Sequence, residues 1–244
     1  MKTSQIKKLL KGVYDNFCET ITDDNIKKII KEKTFITGGS IPSMILDEFV
    51  NDFDFYFQNK EDAEKVKAYF SVKQLNIQTN KFKVNLITDN AVNLSDKVQL
   101  VIKFNGSPDE VVKNFDWQHI KSYFIYPDTL VIPDDTYRLL VEKELVYTGS
   151  EYPLSSLMRV KKYIKKGWSV SNQTIVNIAL DFHMAMTKSE KERAFLTAPI
   201  RETVSVEDII YHLNGVDPII IQDKLQKQAG EYLTIKEIIK LIQR

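Results

Sequence analysis

Asp52 and Asp54 stand two residues apart in the run Asn51-Asp52-Phe53-Asp54-Phe55-Tyr56-Phe57. Successive side chains of an extended strand point to opposite faces, so the run sorts into two chemically different rows. Asp52, Asp54 and Tyr56 share one face, and Phe53, Phe55 and Phe57 share the other. A row made only of phenylalanine predicts burial on that side. Two carboxylates on the opposite side repel each other unless a cation neutralises them, the plain alternative being an edge strand with solvated aspartates. Oxygen donors at that spacing suit magnesium, which keeps part of its water shell and takes further ligands from substrate phosphates. Two Mg2+ ions held by Asp52 and Asp54 would clamp an in-line phosphoryl displacement.

Upstream, the apolar stretch Phe35-Ile36-Thr37 runs into Gly38-Gly39-Ser40. Two glycines allow close backbone approach, and Ser40 is placed to cap a helix that begins at Ile41 or Pro42. The free amides at such a helix start would attract a phosphate. Taken alone, Gly-Gly-Ser is equally a tight strand-to-helix turn; the aspartate strand behind it gives it a chemical reading. His119, His183 and His212 are too scattered to form a metal pair at helical spacing, and His119 reads as a structural histidine. Cys18 is the single cysteine, so it forms no internal disulfide and reads as a buried apolar residue. No Walker-type loop or Ser-His-Asp arrangement is visible.

These residues need a folded frame, and the composition supplies one. Of 244 residues, 43% are hydrophobic and 27% charged, which argues against wholesale disorder. Thirty-four basic residues against thirty-three acidic ones leave a net charge of +1, which excludes an overall basic field of the kind used to coat nucleic acid. No apolar run approaches the roughly 20 residues that cross a bilayer, so no membrane partner is expected. The opening MKTSQIKKLLKGVYDNF alternates charged and apolar residues and reads as an amphipathic helix rather than a signal peptide. The expectation is a soluble protein of the cytoplasm.

Three stretches follow. Residues 1–32 predict an N-terminal helical segment, with Ile6, Leu9, Leu10 and Val13 at helical spacing and Thr22 or Asp23 capping a second helix. Residues 33–132 predict a sheet domain, with strands at 35–37, 53–57, 83–87, 98–104 and 124–132 and a helix at 61–70. Residues 133–244 predict a helical region with segments at 135–146, 154–166, 172–187, 205–213 and 234–242. No internal repeat or low-complexity tract appears.

Gly38-Gly39-Ser40, a helix and then Asp52-x-Asp54 resemble the nucleotidyltransferase superfamily of DNA polymerase β. The nearest resemblance is to the head domain of poly(A) polymerases and tRNA CCA-adding enzymes, in the form of predicted bacteriophage nucleotidyltransferases. Phe115-Asp116-Trp117-Gln118-His119 lies where that family has an Arg-Asp-Phe-Thr strand, and Tyr126-Pro127 through Ile132 resembles the segment after it. Tyr152-Pro153-Leu154 through Leu157-Met158-Arg159, Lys162-Tyr163 and Gly167-Trp168 resembles the neck helix.

The resemblance implies an α+β fold: a nucleotidyltransferase-type mixed sheet with flanking helices, then a mostly helical C-terminal domain. It implies that Gly38, Gly39 and Ser40 hold a nucleoside triphosphate such as ATP, and that Asp52 and Asp54 ligate two magnesium ions. Asp116 would supply a third catalytic carboxylate or anchor the following strand. Arg159 and Lys162 would face the nucleotide or form part of a solvated helix face. The implied activity moves a nucleoside monophosphate to an RNA 3′ hydroxyl, tRNA included, or to a protein hydroxyl. Lys7, Lys8, Lys11, Lys27, Lys28 and the lysines of 161–166 would offer an RNA track.

Three departures set an alternative beside it. Ser43 and Met44 replace the family's Arg-Asp pair, Gln99 stands where a third acid is expected, and the base-reading pattern of CCA-adding enzymes is missing. The alternative is a catalytically retired member of the fold that acts as a phage-type binding or structural protein. Its helical end, with Tyr211, Leu213 and Ile219–Ile221, would then serve a partner.

Overall fold

A computed structural model describes residues 1–75 and 84–193. The predicted segments 205–213 and 234–242, together with His212 and Ile219–Ile221, lie outside the described residues. Chain contacts divide the protein into two units, one of residues 1–115 and 119–141 and one of 116–118 and 142–244.

The first unit is built on a seven-stranded mixed sheet. Its elements are α1 (Thr3–Thr20), α2 (Asp24–Lys33), β1 (Thr34–Thr37), α3 (Ser40–Ile45), β2 (Phe53–Phe57), α4 (Lys60–Leu75), β3 (Val84–Ile87), β4 (Ala91–Leu94), β5 (Val98–Asn105), α5 (Pro108–Lys113), β6 (Tyr123–Ile125), β7 (Thr129–Val131) and α6 (Thr136–Glu142). Across the sheet the strands run β3-β4-β5-β2-β1-β6-β7. The β2–β5 pair is parallel, and the other pairs are antiparallel. The mixed α+β class expected from the sequence is the one observed.

One face of the sheet carries the main core. Phe55 and Phe57 of β2, Ile36 of β1, Leu100 and Ile102 of β5 and Phe124 of β6 pack there with Ile6, Leu10, Tyr14 and Phe17 of α1, Ile30 of α2 and Val66 and Phe70 of α4. The spacing of Ile6, Leu10, Tyr14 and Phe17 places all four on one side of a helix, which is why α1 docks. Helices α1 and α2 therefore share the core of the sheet. Asp23 is the cap of α2, with its Oδ1 accepting from Asn25 N at 2.8 Å and Ile26 N at 3.2 Å. On the opposite face a smaller cluster joins Phe35 and Tyr123 to Val111 and Val112 of α5.

The expected helix over 135–146 is shorter than its apolar pattern. It ends at Glu142, because Lys143 adopts φ 49° and leaves the helical path. Glu144 and Leu145 then form a short strand, β8, in the second unit. Strand β8 pairs in parallel with β9 (Ser169–Val170) beside α7 (Pro153–Lys165) and α8 (Asn172–Arg193). Among the described residues no helix is long and apolar enough to cross a membrane.

His119 is 1% exposed, and burial pushes its imidazole down to about 4. The unfolded chain therefore binds this proton more readily than the folded one. Stability linked to His119 is fully present above about pH 6.5 and is lost as pH falls toward 4, with a ceiling of roughly 3 kcal/mol. A His119→Asn variant is expected to show a flatter melting temperature over that window. Parallel pH profiles for parent and variant would remove the assignment.

Candidate functional site

The register of the first unit assembles a row of side chains across five strands. Tyr123 of β6 lies opposite Thr37 of β1, and Thr37 lies opposite Asp54 of β2. Asp54 lies beside Gln99 of β5, which in turn faces Asn93 of β4. All five point away from the main core, since Ile36, Phe55, Leu100 and Val92 on the same strands point into it. Asp54, Gln99 and Asn93 are half-buried on this face. Strand β2 begins at Phe53, so Asp52 sits exposed just before it, at the mouth of the row.

The Gly-Gly-Ser turn closes over Asp54. Gly38 has φ +88°, and a methyl group added there would come within 3.1 Å of Asp54 Oδ2. Position 38 therefore needs glycine both for its backbone angle and for the approach of the carboxylate. Gly39 is different: its φ is −73°, it is exposed, and an added methyl group meets nothing within 4 Å.

The expectation that Ser40 caps the helix is corrected. Helix α3 starts at Ser40 itself, Gly39 holds the cap position, and no side chain caps the end. Ser40 is 2% exposed, and its Oγ has no hydrogen-bond partner among the described residues. A buried hydroxyl without a partner costs roughly 1–3 kcal/mol. Thr37 beside it is satisfied, donating from Oγ1 to Ser122 O at 2.7 Å. Ser43 is half-buried and Met44 is buried, and neither offers a charge at this turn.

These residues can be tested as magnesium ligands. Among the described residues no group of three His, Cys, Asp or Glu side chains gathers around a common point. The donor set at this turn is Asp54, the nearby exposed Asp52 and the unpartnered Ser40 Oγ, with the amide of Gln99 beside Asp54. That set fits magnesium entering with a triphosphate, because such ions are held by one or two carboxylates plus phosphate oxygens.

The second unit holds the remaining predicted residues. Asp116 is 3% exposed, and its Oδ2 accepts from Ser156 Oγ at 2.8 Å and from Arg159 Nη1 at 2.6 Å. Asp116 and Arg159 are thus joined to each other, while Lys162 is exposed on α7. The strand expected around Asp116 is reduced to a single bridge between Trp117 and Tyr147, followed by a turn of 3-10 helix at Gln118–Ile120. Trp117 packs edge-on against Tyr147 and Tyr163, and Tyr163 against Trp168. Burial raises the Tyr147 and Tyr163 hydroxyls well above their usual range, and Tyr147 OH donates to Asp181 Oδ2 at 2.8 Å. The Asp116–Ser156–Arg159 cluster and Asn93 were not legible from sequence spacing; the first spans forty-three residues, and the second is identified only by register.

Comparison with known proteins adds a lineage. The Gabija anti-defense 2 family protein model matches residues 8–143. The chain is 20% identical over 161 residues to the protein "Gabija anti-defense 2" of Bacillus phage SPbetaL7, covering 65% of this chain and 39% of that one. It therefore spans about two fifths of the length of that relative. Among solved structures, a tRNA-processing enzyme with CTP aligns with TM-score 0.45 at 15% identity, over 87% of this chain and 59% of that one. The Thermotoga maritima CCA-adding enzyme complexed with tRNA aligns with TM-score 0.43 at 12% identity, over 93% and 58%. The Bacillus stearothermophilus CCA-adding enzyme in complex with CTP aligns with TM-score 0.42 at 14% identity, over 68% and 45%.

Two stability tests follow from the geometry. Gly38→Ala is expected to cost about 1–2 kcal/mol in a denaturant titration, whereas Gly39→Ala stays within about 0.5 kcal/mol. Equal losses would mean that the turn does not depend on the approach of Asp54. Arg159→Met leaves a buried carboxylate with only Ser156 and is expected to cost about 2 kcal/mol. An unchanged midpoint would make the pair an ordinary surface contact.

Proposed function

The chain belongs to the Gabija anti-defense 2 family, and from that premise we propose that it acts against the Gabija defence as a nucleotidyltransferase. In this reading it moves a nucleoside monophosphate from a nucleoside triphosphate to a hydroxyl of an acceptor, in the cytoplasm of the infected host. The observation that carries the proposal is the buried, unpartnered Ser40 hydroxyl in a turn whose Gly38 is held against Asp54.

Each residue then has a task. The amides of the turn and Ser40 Oγ would receive phosphate oxygens, which satisfies the orphan hydroxyl. Gly39, exposed and with open space where a side chain would be, gives the triphosphate room to approach. Asp54 and Asp52 would hold magnesium, which supplies neutralisation of the phosphate charge. The acceptor oxygen bonds to the α-phosphorus, the bond from that phosphorus to the bridging oxygen breaks, and pyrophosphate leaves. Gln99 takes no proton at neutral pH, so the acceptor's proton passes to water. Its amide, beside Asp54, would orient the hydroxyl by hydrogen bonding, and the chain contributes chiefly position.

A second reading is favoured by a specific observation. Gln99 stands in register with Asp54, and no third acidic ligand joins the described site. A site that binds nucleotide without transferring it would serve a phage-type binding protein equally well.

One experiment separates the two. Purified protein is incubated with each of the four α-labelled nucleoside triphosphates, magnesium, and either total RNA or host protein, with Asp54→Asn alongside. Transfer predicts label in an acceptor that is lost in the variant, together with a raised melting temperature in ATP plus magnesium. Stabilisation without label would establish the binding reading. Neither response would sink both.

A further inference from the structure

One side of helix α8 is buried and the other is not. Thr174, Ile178 and Phe182, each four residues from the next, are buried. On the other side Val176, Leu180 and Met184 repeat the same spacing and are 50%, 55% and 64% exposed. Residues four apart lie above one another on a helix, so these three make one continuous apolar stripe. Its surroundings carry almost no charge. From Asn172 to Met186 the only Asp, Glu, Lys or Arg is Asp181, and its carboxylate accepts from Tyr147 OH at 2.8 Å. Gln173 and Asn177 pair with each other, Nε2 donating to Oδ1 at 2.8 Å. Depletion of charge around large apolar side chains marks the centre of a contact rather than a solvated face.

Size separates the possible occupants. Three side chains at these exposures present on the order of 300 Å², against roughly 800 Å² per partner in a standard interface between separate proteins. A second copy or a foreign protein would gain too little there to offset the freedom it loses on binding. A segment of the same chain loses much less, because its tether keeps it close. A nucleic acid has no electrostatic hold on a stretch without Lys or Arg.

The downstream sequence supplies a match in pattern and length. Val206, Ile209, Ile210 and Leu213 stand at i, i+3, i+4 and i+7 in the segment 205–213, which lies outside the described residues. Fully extended, residues 194–204 would reach on the order of 35 Å. Val176 lies roughly 26 Å back along the axis from Arg193, the last residue of α8, so that connection is long enough to return. The pattern from Val206 to Leu213 would rise about 11 Å as a helix, against about 12 Å for the stripe from Val176 to Met184. Ile235, Ile238, Ile239 and Ile242 have similar spacing, but they follow a connection several times longer, whose closure costs more entropy.

We infer that segment 205–213 seats on the Val176–Leu180–Met184 stripe of α8, antiparallel to it. Val206, Ile209, Ile210 and Leu213 are then occupied within the chain and form no face for a separate partner. The inference is independent of the transfer reading.

The test uses the full chain, whose one cysteine, Cys18, is buried and leaves introduced thiols easy to follow. A disulfide needs Cα atoms within about 7 Å, so its rate of formation reports contact. Leu180→Cys with Ile210→Cys is expected to close an intramolecular disulfide about tenfold faster than Leu180→Cys with Asp208→Cys, whose second thiol falls on the other side of the 205–213 pattern. Mass spectrometry of the unreduced digest identifies the bond. Leu180→Glu places a charge under an apolar cover and is expected to lower the melting temperature by about 3–5 °C at every protein concentration. Equal oxidation rates for the two cysteine pairs, or an unchanged melting temperature in Leu180→Glu, would overturn the inference. A disulfide between two chains as the main product of Leu180→Cys alone would overturn it in favour of a second copy.

Discussion

Strand β2 carries phenylalanine on one face and carboxylate on the other, and the helical layer holds that orientation. Phe55 meets Tyr14 edge-on at 4.8 Å between centroids and Phe17 at 5.4 Å, while Phe17 stacks on Phe70 of α4 at 6.1 Å. Because side chains alternate with period two, a one-residue slip of β2 would expose its phenylalanines and drive Asp54 into the core. Burial of large aromatics, each worth about 3–5 kcal/mol against alanine, forbids that slip. The register so fixed brings Asp54 beside Gly38 and Gln99. The geometry of the site is therefore a consequence of the packing on the far side of the sheet.

This explains what could be read from the residue order. The bounds of β2 match the period-two run because both of its rows have strong and opposite preferences. Helices α1 and α2 were legible for a similar reason, since their apolar spacing and the Asp23 cap reinforce one another. Strand β4 was not read: Ala91–Leu94 has only four residues, and its single polar side chain, Asn93, breaks no pattern long enough to count. Helix α5 did leave a signal, in Ser107-Pro108-Asp109-Glu110. There Ser107 Oγ accepts from Glu110 N at 3.4 Å while Ser107 N donates to Glu110 Oε2 at 2.8 Å.

The partial misreadings share one cause, which is that a motif states residue types but not backbone phase. Ser40 falls one place inside the helix, with Gly39 at the cap position in ordinary helical angles (φ −73°, ψ −17°), and the hydroxyl is buried. Asp116 looks like a strand residue in the run Phe115–His119. Its carboxylate is drawn to Ser156 and Arg159, and only Trp117 retains a bridge. The contact of Lys97 with Val50 O and the Phe49 ring was invisible for a further reason: it joins two segments nearly fifty residues apart.

Gln99 bears on how such a site would work. Carboxylates on neighbouring strands raise the electrostatic cost of one another, and a third acid beside Asp54 would deepen the site's demand for a resident cation. A neutral amide in that position lowers the demand. Fewer charges then need to be neutralised before substrate arrives, and the site would rely more on metal carried in with the triphosphate. The amide also lacks the means to remove a proton, so rate would come from holding the acceptor in line rather than from ionising it. A site of that design gains more from a strong hold on its acceptor outside the reacting centre than one with its own base.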